Sequence, residues 1–309
     1  MARNKTHLSY EDQLKLFESR GMIVNDEAHA LERLRQISYY KIKEFSLFFM
    51  NAEGRYNPGT SFEAVIQNFY YDKNLRMEFL SMAEKIELSM KNKFAYLMGK
   101  KYGSFGYLNF NKWCDRTIPK PQIDREQGAF ALKLKVKIAA NANAQPIADY
   151  KRDFPDNKDL PLWIATEILT FGEIIHLYKL MAPKNRISIA RQYNLKATEF
   201  ASFVDHIKFI RNLCAHNRPV INLTIKSVPV IPKSFLPYLC EENKIAVSVM
   251  IFVYFVKIIR PEYDFAQLKR ALSKLIKRNA VAKKYGFASK KAIDSFIKSK
   301  EEAGGTANL

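Results

Sequence analysis

Apolar residues recur every three or four positions through most of this chain, which predicts amphipathic helices and gives no convincing series of strands. Ser9-Tyr10-Glu11-Asp12 reads as a helix start, with the Ser9 hydroxyl and the Asp12 carboxylate placed to satisfy the first free amides. That helix carries Leu14, Leu16 and Phe17 and stops at Gly21; a second begins near Asp26 with Ala30, Leu31, Leu34, Ile37 and Tyr40 in register. Asn51 to Gly59 is a polar turn. From Ser61 to Met98 there is no Gly or Pro, and Ile66, Phe69, Tyr70, Leu75, Phe79, Met82, Ile86, Met90, Phe94 and Leu97 predict two long helices with a kink near Asp72.

Gly99 to Gly128 reads as a long loop or insertion, followed by a helix over Ala129 to Ala144. Asp159-Leu160-Pro161 opens a helix with proline in its first turn and a kink expected at Phe171-Gly172. A short helix over Asn185 to Tyr193 leads to Thr198, the expected N-cap of the helix that carries Arg211 to His216. Pro219, Pro229, Pro232 and Pro237 mark an extended connector. Ile245 to Ile259, interrupted by Ser248 and Lys257, is too short for a membrane span and reads as a buried core helix. A basic helix follows over Phe265 to Arg278, and Gly304-Gly305 opens a frayed tail. The predicted fold class is all-α.

Charge adds a partner to this picture. Lys and Arg number 50 against 31 Asp and Glu, a formal net charge of +19. An excess of that size favours a polyanion, because each phosphate neutralised releases condensed counterions. Lys269, Arg270, Lys274, Lys277, Arg278, Lys283 and Lys284, with Lys290 and Lys291 beyond them, form a run with few acids among them. That run reads as a phosphate-tracking surface. Cys114, Cys214 and Cys240 are widely spaced and odd in number, so neither zinc nor a disulfide framework is expected. With a polar, basic N-terminus this favours the cytoplasm and no membrane partner. No phosphate loop, nucleophile elbow or zinc-protease motif occurs.

Candidate chemistry concentrates in Phe209-Ile210-Arg211-Asn212-Leu213-Cys214-Ala215-His216-Asn217-Arg218. Asn212 and His216 are four apart and share a helix face, while Arg211 lies about 140° around from His216. Cleaving RNA without a metal needs a group to move the 2′-hydroxyl proton and a cation to stabilise the charge that builds on phosphorus. Histidine titrates near neutrality and suits the first task. The arginine fork matches phosphate oxygens and suits the second. Asn212 would hold the imidazole or a phosphate oxygen. Taken alone, an Arg-x4-His spacing is more often a helix cap with a polar core histidine.

The wider sequence shifts that balance. The chain resembles the Abi family of bacterial abortive-infection proteins, of the AbiD/AbiF type, a branch of the HEPN superfamily. Several blocks between Leu8 and Met250 carry the resemblance: Tyr10 to Leu14 with Arg20-Gly21, Ile37 to Ile42, Phe69 to Arg76, Glu84 to Leu88, Leu160 to Glu167 with Phe171-Gly172, and Arg211 to Arg218. Lys41 and Lys91 stand where the family often has Arg, which keeps charge but not the bidentate fork. The resemblance implies an anti-phage, metal-independent endoribonuclease with Arg211, Asn212 and His216 catalytic and no cofactor. Such sites are usually composite, so one motif per chain implies a homodimer. It also allows a toxin held by a structured non-coding RNA.

The expected organisation is an N-terminal helical segment (1–60), a HEPN-like helical domain (61–260) with an insertion near 99–158, and a basic C-terminal extension (261–309). RNA contacts are expected from Lys41, Arg218 and the basic run. Glu167 is a candidate orienting partner for Arg211 or His216, and Glu84 with Glu87 would more readily pair with Lys85, Lys91 or an arginine than hold a cation. Tyr39-Tyr40 and Phe69 to Tyr71 could stack bases, although aromatic stripes at this spacing are usually core. The rival reading is a non-catalytic RNA-binding module forming a stable protein–RNA complex. A protein–protein toxin partner is a third.

Overall fold

The structure, a computed structural model, describes residues 7–299 and is all-α. Its helices are α1 (Tyr10–Glu18), α2 (Glu27–Gln36), α3 (Tyr39–Ser46), α4 (Phe62–Tyr102), α5 (Lys120–Ala140), α6 (Gln145–Asp153), α7 (Leu162–Ile168), α8 (Phe171–Leu180), α9 (Pro183–Arg191), α10 (Ala197–Ala215), α11 (Ile245–Ile259), α12 (Ala266–Leu275), α13 (Asn279–Lys284) and α14 (Ala292–Lys298). Short 3-10 turns fill some of the connections. Among the described residues the β contacts are isolated bridges, such as Ile23 with Ser61 and Leu239 with Phe287. No helix of the described residues is long and apolar enough to cross a membrane.

Helix α4 organises the molecule. It starts at Ser61, whose hydroxyl accepts from the Ala64 amide, and ends at Gly103, whose φ of 79° suits glycine. Its 41 residues extend about 60 Å. The expected kink near Asp72 is absent, so one helix replaces two. The Asp72 side chain does not compete with the helix for backbone donors because other groups already hold it: the Arg76 guanidinium and the amides of Val220 and Ile221. The first turn of α4 packs into a small core with α1, α2 and α3, around Leu14, Phe17, Leu34 and Phe45. The rest of α4, from Leu75 to Met98, lies in a large core shared with α7, α8, α10 and α11.

Helix α11 begins and ends where its apolar run does, and all twelve residues from Ile245 to Val256 are buried. Elsewhere local chemistry moved the boundaries. Pro119 and Pro121 start α5 rather than prolonging a loop, since proline fits a first helical turn. Phe171-Gly172 is a break rather than a kink: Thr170 and Glu173 form a complete capping box that starts α8 afresh. Thr198 does not cap α10. The Glu199 carboxylate takes the Lys196 amide instead, two residues earlier. The Gly304-Gly305 tail lies outside the described residues.

Two stability predictions arise here. His206 of α10 is buried, with Nε2 2.8 Å from the Ser248 hydroxyl of α11. Burial drives its pKa down from 6.5 to about 4. The unfolded chain therefore takes up this proton first. The contribution is whole above the unfolded value and is lost as pH falls towards the folded one, amounting to about 3 kcal/mol at the acid end. His206→Gln should flatten the fall in urea midpoint between pH 7 and 4; an equally steep fall in the variant would count against it.

Gly286, after α13, has φ 91°, and an added Cβ would lie 2.7 Å from Lys244 Cβ and 2.9 Å from the Glu241 carbonyl oxygen. The latter atom is backbone and cannot rotate away. Gly286→Ala should lower stability by about 2 kcal/mol in thermal unfolding, from strain and overlap together.

Candidate functional site

The end of α10 is built by its sequence. Asn217 takes the left-handed conformation, φ 54°, and two hydrogen bonds close the turn: the Asn217 amide donates to the Cys214 carbonyl and the Arg218 amide to the Leu213 carbonyl. That is a Schellman stop, in which asparagine does what glycine more often does. The turn is also held from behind. Arg76, 1% exposed, donates through Nε to Asp72 at 2.6 Å and through Nη1 to the Asn217 side-chain oxygen at 2.8 Å. Asp72 accepts the Val220 and Ile221 amides at 2.7 and 3.0 Å. Burial raises the Asp72 carboxyl above its ordinary range, and those two amides and the guanidinium oppose it.

Helix α3 supports the same turn. Lys41 Nζ donates to the Asn217 carbonyl at 3.0 Å and pairs with Glu44 at 2.7 Å. Glu44 also receives Arg218 Nε at 2.8 Å. Lys41 and Arg218, expected at RNA, are thus both held by Glu44. Arg218 keeps most of its surface in solvent, whereas Lys41 is largely engaged within the protein.

The three expected catalytic residues lie on the outer side of this turn. Asn212 and His216 are exposed and Arg211 is half-buried. Arg211 Nη1 donates to the Asn212 side-chain oxygen at 3.3 Å, and its Nη2 stands 4.0 Å from the Glu87 carboxylate. Among the described residues the His216 imidazole makes no hydrogen bond, and none joins it to Arg211. Cys214 between them is buried, and burial pushes its thiol up to about 12, so it is not a nucleophile.

Glu167 forms no ion pair among the described residues. Glu87, one helical turn before Lys91, is the carboxylate that approaches Arg211, and it pairs with Lys91 at 3.1 Å. Lys91 also lines a cleft of about 620 Å³ between α4 and α7, together with Lys85, Asn92, Glu167 and the half-exposed Trp163. Arg211 of the motif is thus connected, through Glu87 and Lys91, to a cleft that carries an indole on its wall. Sequence reasoning missed Asp72, Arg76 and Asn217 as the frame of the turn. An Asp and an Arg four apart within an apolar helix were the available signal.

The basic run lies on the outer face of α12 and around α13. Arg270, Lys274, Lys277, Arg278, Lys283 and Lys284 are exposed, while Leu268, Ala271, Leu272 and Leu275 face the core. Lys269 pairs with Asp294 at 3.4 Å. Of the aromatic runs, Tyr39 packs on Phe17 and Phe69 on Phe45, but Tyr40 stands out in solvent. Among the described residues no group of three or more His, Cys, Asp or Glu side chains is placed to share a metal ion.

Compared with known proteins, residues 32–222 match the family model described as Abi-like protein. No curated protein and no solved structure matches the chain.

Proposed function

This chain belongs to the Abi-like protein family, which supports a role in abortive infection, and from that membership we propose that it acts by cleaving RNA without a metal at the end of α10. The observation that carries the reading is the contrast within one turn. Asn217 is held through its side chain by the buried Asp72–Arg76 pair and through its carbonyl by Lys41, while His216 beside it is exposed and its imidazole has no partner among the described residues. A rigid frame presenting an unengaged imidazole is how a general acid or base is held ready for a ligand.

In this reading His216 takes the proton of an RNA 2′-hydroxyl. The 2′-oxygen bonds to phosphorus, and the bond from phosphorus to the 5′-oxygen breaks. Arg211, already steered by Asn212 and Glu87, stabilises the charge on the phosphorane oxygens, and Asn212 positions the phosphate. The departing 5′-oxygen takes its proton from the imidazolium of a second copy. Arg211 and His216 are not joined within one chain, which fits a HEPN-like site completed by a homodimer. Arg270, Lys274, Lys277, Arg278, Lys283 and Lys284 supply the phosphate-tracking surface, with a lesser share from Lys269 and Arg218. A structured RNA bound there could hold the enzyme inactive. Digests in EDTA test the chemistry: 2′,3′-cyclic phosphate and 5′-hydroxyl ends are expected. Fragments with 5′-phosphates, or protection of a bound RNA with no cutting, would favour other chemistry or the binding-module reading.

A further inference from the structure

We infer that the cleft between α1, α2 and α3 is a nucleotide-binding site distinct from the α10 turn, with a base stacked on Tyr40 and its phosphate held by Arg20, Arg35 and Lys43. The cleft measures about 1000 Å³ and is lined by those three cations with Tyr10, Tyr39 and Tyr40, and by no carboxylate. That volume stands at the upper end of the range for small-molecule pockets, roughly 300–1,000 Å³.

What sets these cations apart is that three of them converge on one cleft with no carboxylate in its lining. Arg33, on the far side of α2, is engaged by His29, Gln36, Tyr70 and Glu32. Arg20, Arg35 and Lys43 form no ion pair among the described residues, and Glu11, which feels the charge of Arg35, stands outside the lining. Three uncompensated cations around one cleft are unfavourable for the protein alone and favourable for an anion. Arginine forks match phosphate oxygens in particular.

The aromatic side is preset. Tyr40 is 66% exposed, which leaves much of its ring to solvent, and Tyr39 meets it edge-on with centroids 5.4 Å apart. Tyr39 is itself packed on Phe17 at 4.8 Å and takes a hydrogen bond from Arg20 at 3.4 Å. Arg35 lies over the Tyr10 ring, 5.9 Å from its centroid. A planar base on tyrosine with phosphate beside guanidinium groups uses both features, which a bare anion or an apolar ligand would not. The same helix, α3, turns Lys41 and Glu44 towards Asn217, so the cleft and the turn lie on different faces of one element.

A free nucleotide and a nucleotide within single-stranded RNA offer the same chemistry, and two arms separate them. The full chain, stripped of nucleic acid in high salt, is titrated with AMP and ATP by calorimetry. It is also photo-crosslinked to a 5′-phosphorylated hexamer bearing 4-thiouridine, and the crosslinked peptide is identified. Binding in the first arm, or a crosslink on the peptide holding Tyr39-Tyr40 in the second, is expected. The signal should weaken about ten-fold in Tyr40→Ala and in Arg35→Ala and persist in Tyr40→Phe. Both positions are exposed, so folding is not at risk. His216→Ala should bind as wild type does; a wild-type protein that binds the nucleotide and cuts no RNA would sink the nuclease reading and leave this one standing. No heat with AMP or ATP together with crosslinks elsewhere, or binding that survives both alanine variants, overturns the inference.

Discussion

Arg76→Met should destabilise the protein by about 3 kcal/mol in urea unfolding, because it strands a buried carboxylate. Asp72 and Arg76 are 0% and 1% exposed, and their 2.6 Å contact lies in the N-terminal half of α4. Methionine fills similar volume, so little of the loss comes from a cavity. What remains is Asp72 with the Val220 and Ile221 amides as donors and no counter-charge. Asn217 loses its side-chain anchor in the same step, so its left-handed turn is held only by its backbone hydrogen bonds and Lys41. Asp72→Asn combined with Arg76→Met removes both charges and should lose at least 1 kcal/mol less than the two single losses added together. A fall under about 1 kcal/mol for Arg76→Met alone would mean that the pair does not hold the turn.

The second large effect is on activity. His216→Ala should slow RNA cleavage by about 10²–10⁴-fold, the range that a positioned general acid or base contributes. Its stability should stay within about 0.5 kcal/mol of wild type, since the imidazole is exposed and makes no hydrogen bond among the described residues. The two variants thus separate roles that sequence proximity blurs: Arg76 frames the turn and His216 works from it. RNA binding should persist in His216→Ala, because the exposed cations of α12 and α13 are untouched.

How much of this was legible in the sequence depends on how local its cause is. Helix α11 could be read from its apolar run, and α1 from Ser9 and Asp12, because a few adjacent residues decide each. Helix α4 could not be read whole. An Asp in the apolar run argues for a break, because its carboxylate competes for backbone donors, unless its partners at residues 220 and 221, about 150 positions away, are known. The exposed motif at Arg211, Asn212 and His216 could be read as chemistry from residue type and family resemblance. The sequence offers Glu87 for pairing with a nearby lysine or an arginine and Glu167 as an orienting partner for Arg211 or His216, without deciding which carboxylate reaches Arg211. Which carboxylate approaches Arg211 is set by the packing of α4 against α10, and that is written nowhere in the spacing of either helix.

The central claim is tested most directly by comparing wild type with His216→Ala, each stripped of co-purifying nucleic acid, on 5′-labelled structured and unstructured RNA in EDTA. Cleavage by wild type to 2′,3′-cyclic phosphate ends, with a variant that binds equally tightly and cuts at least about 100-fold more slowly, is the predicted result. Equal cleavage by both proteins would remove His216 from the chemistry. Tight binding by both with no cutting of any substrate would contradict the nuclease assignment and leave an RNA-binding module.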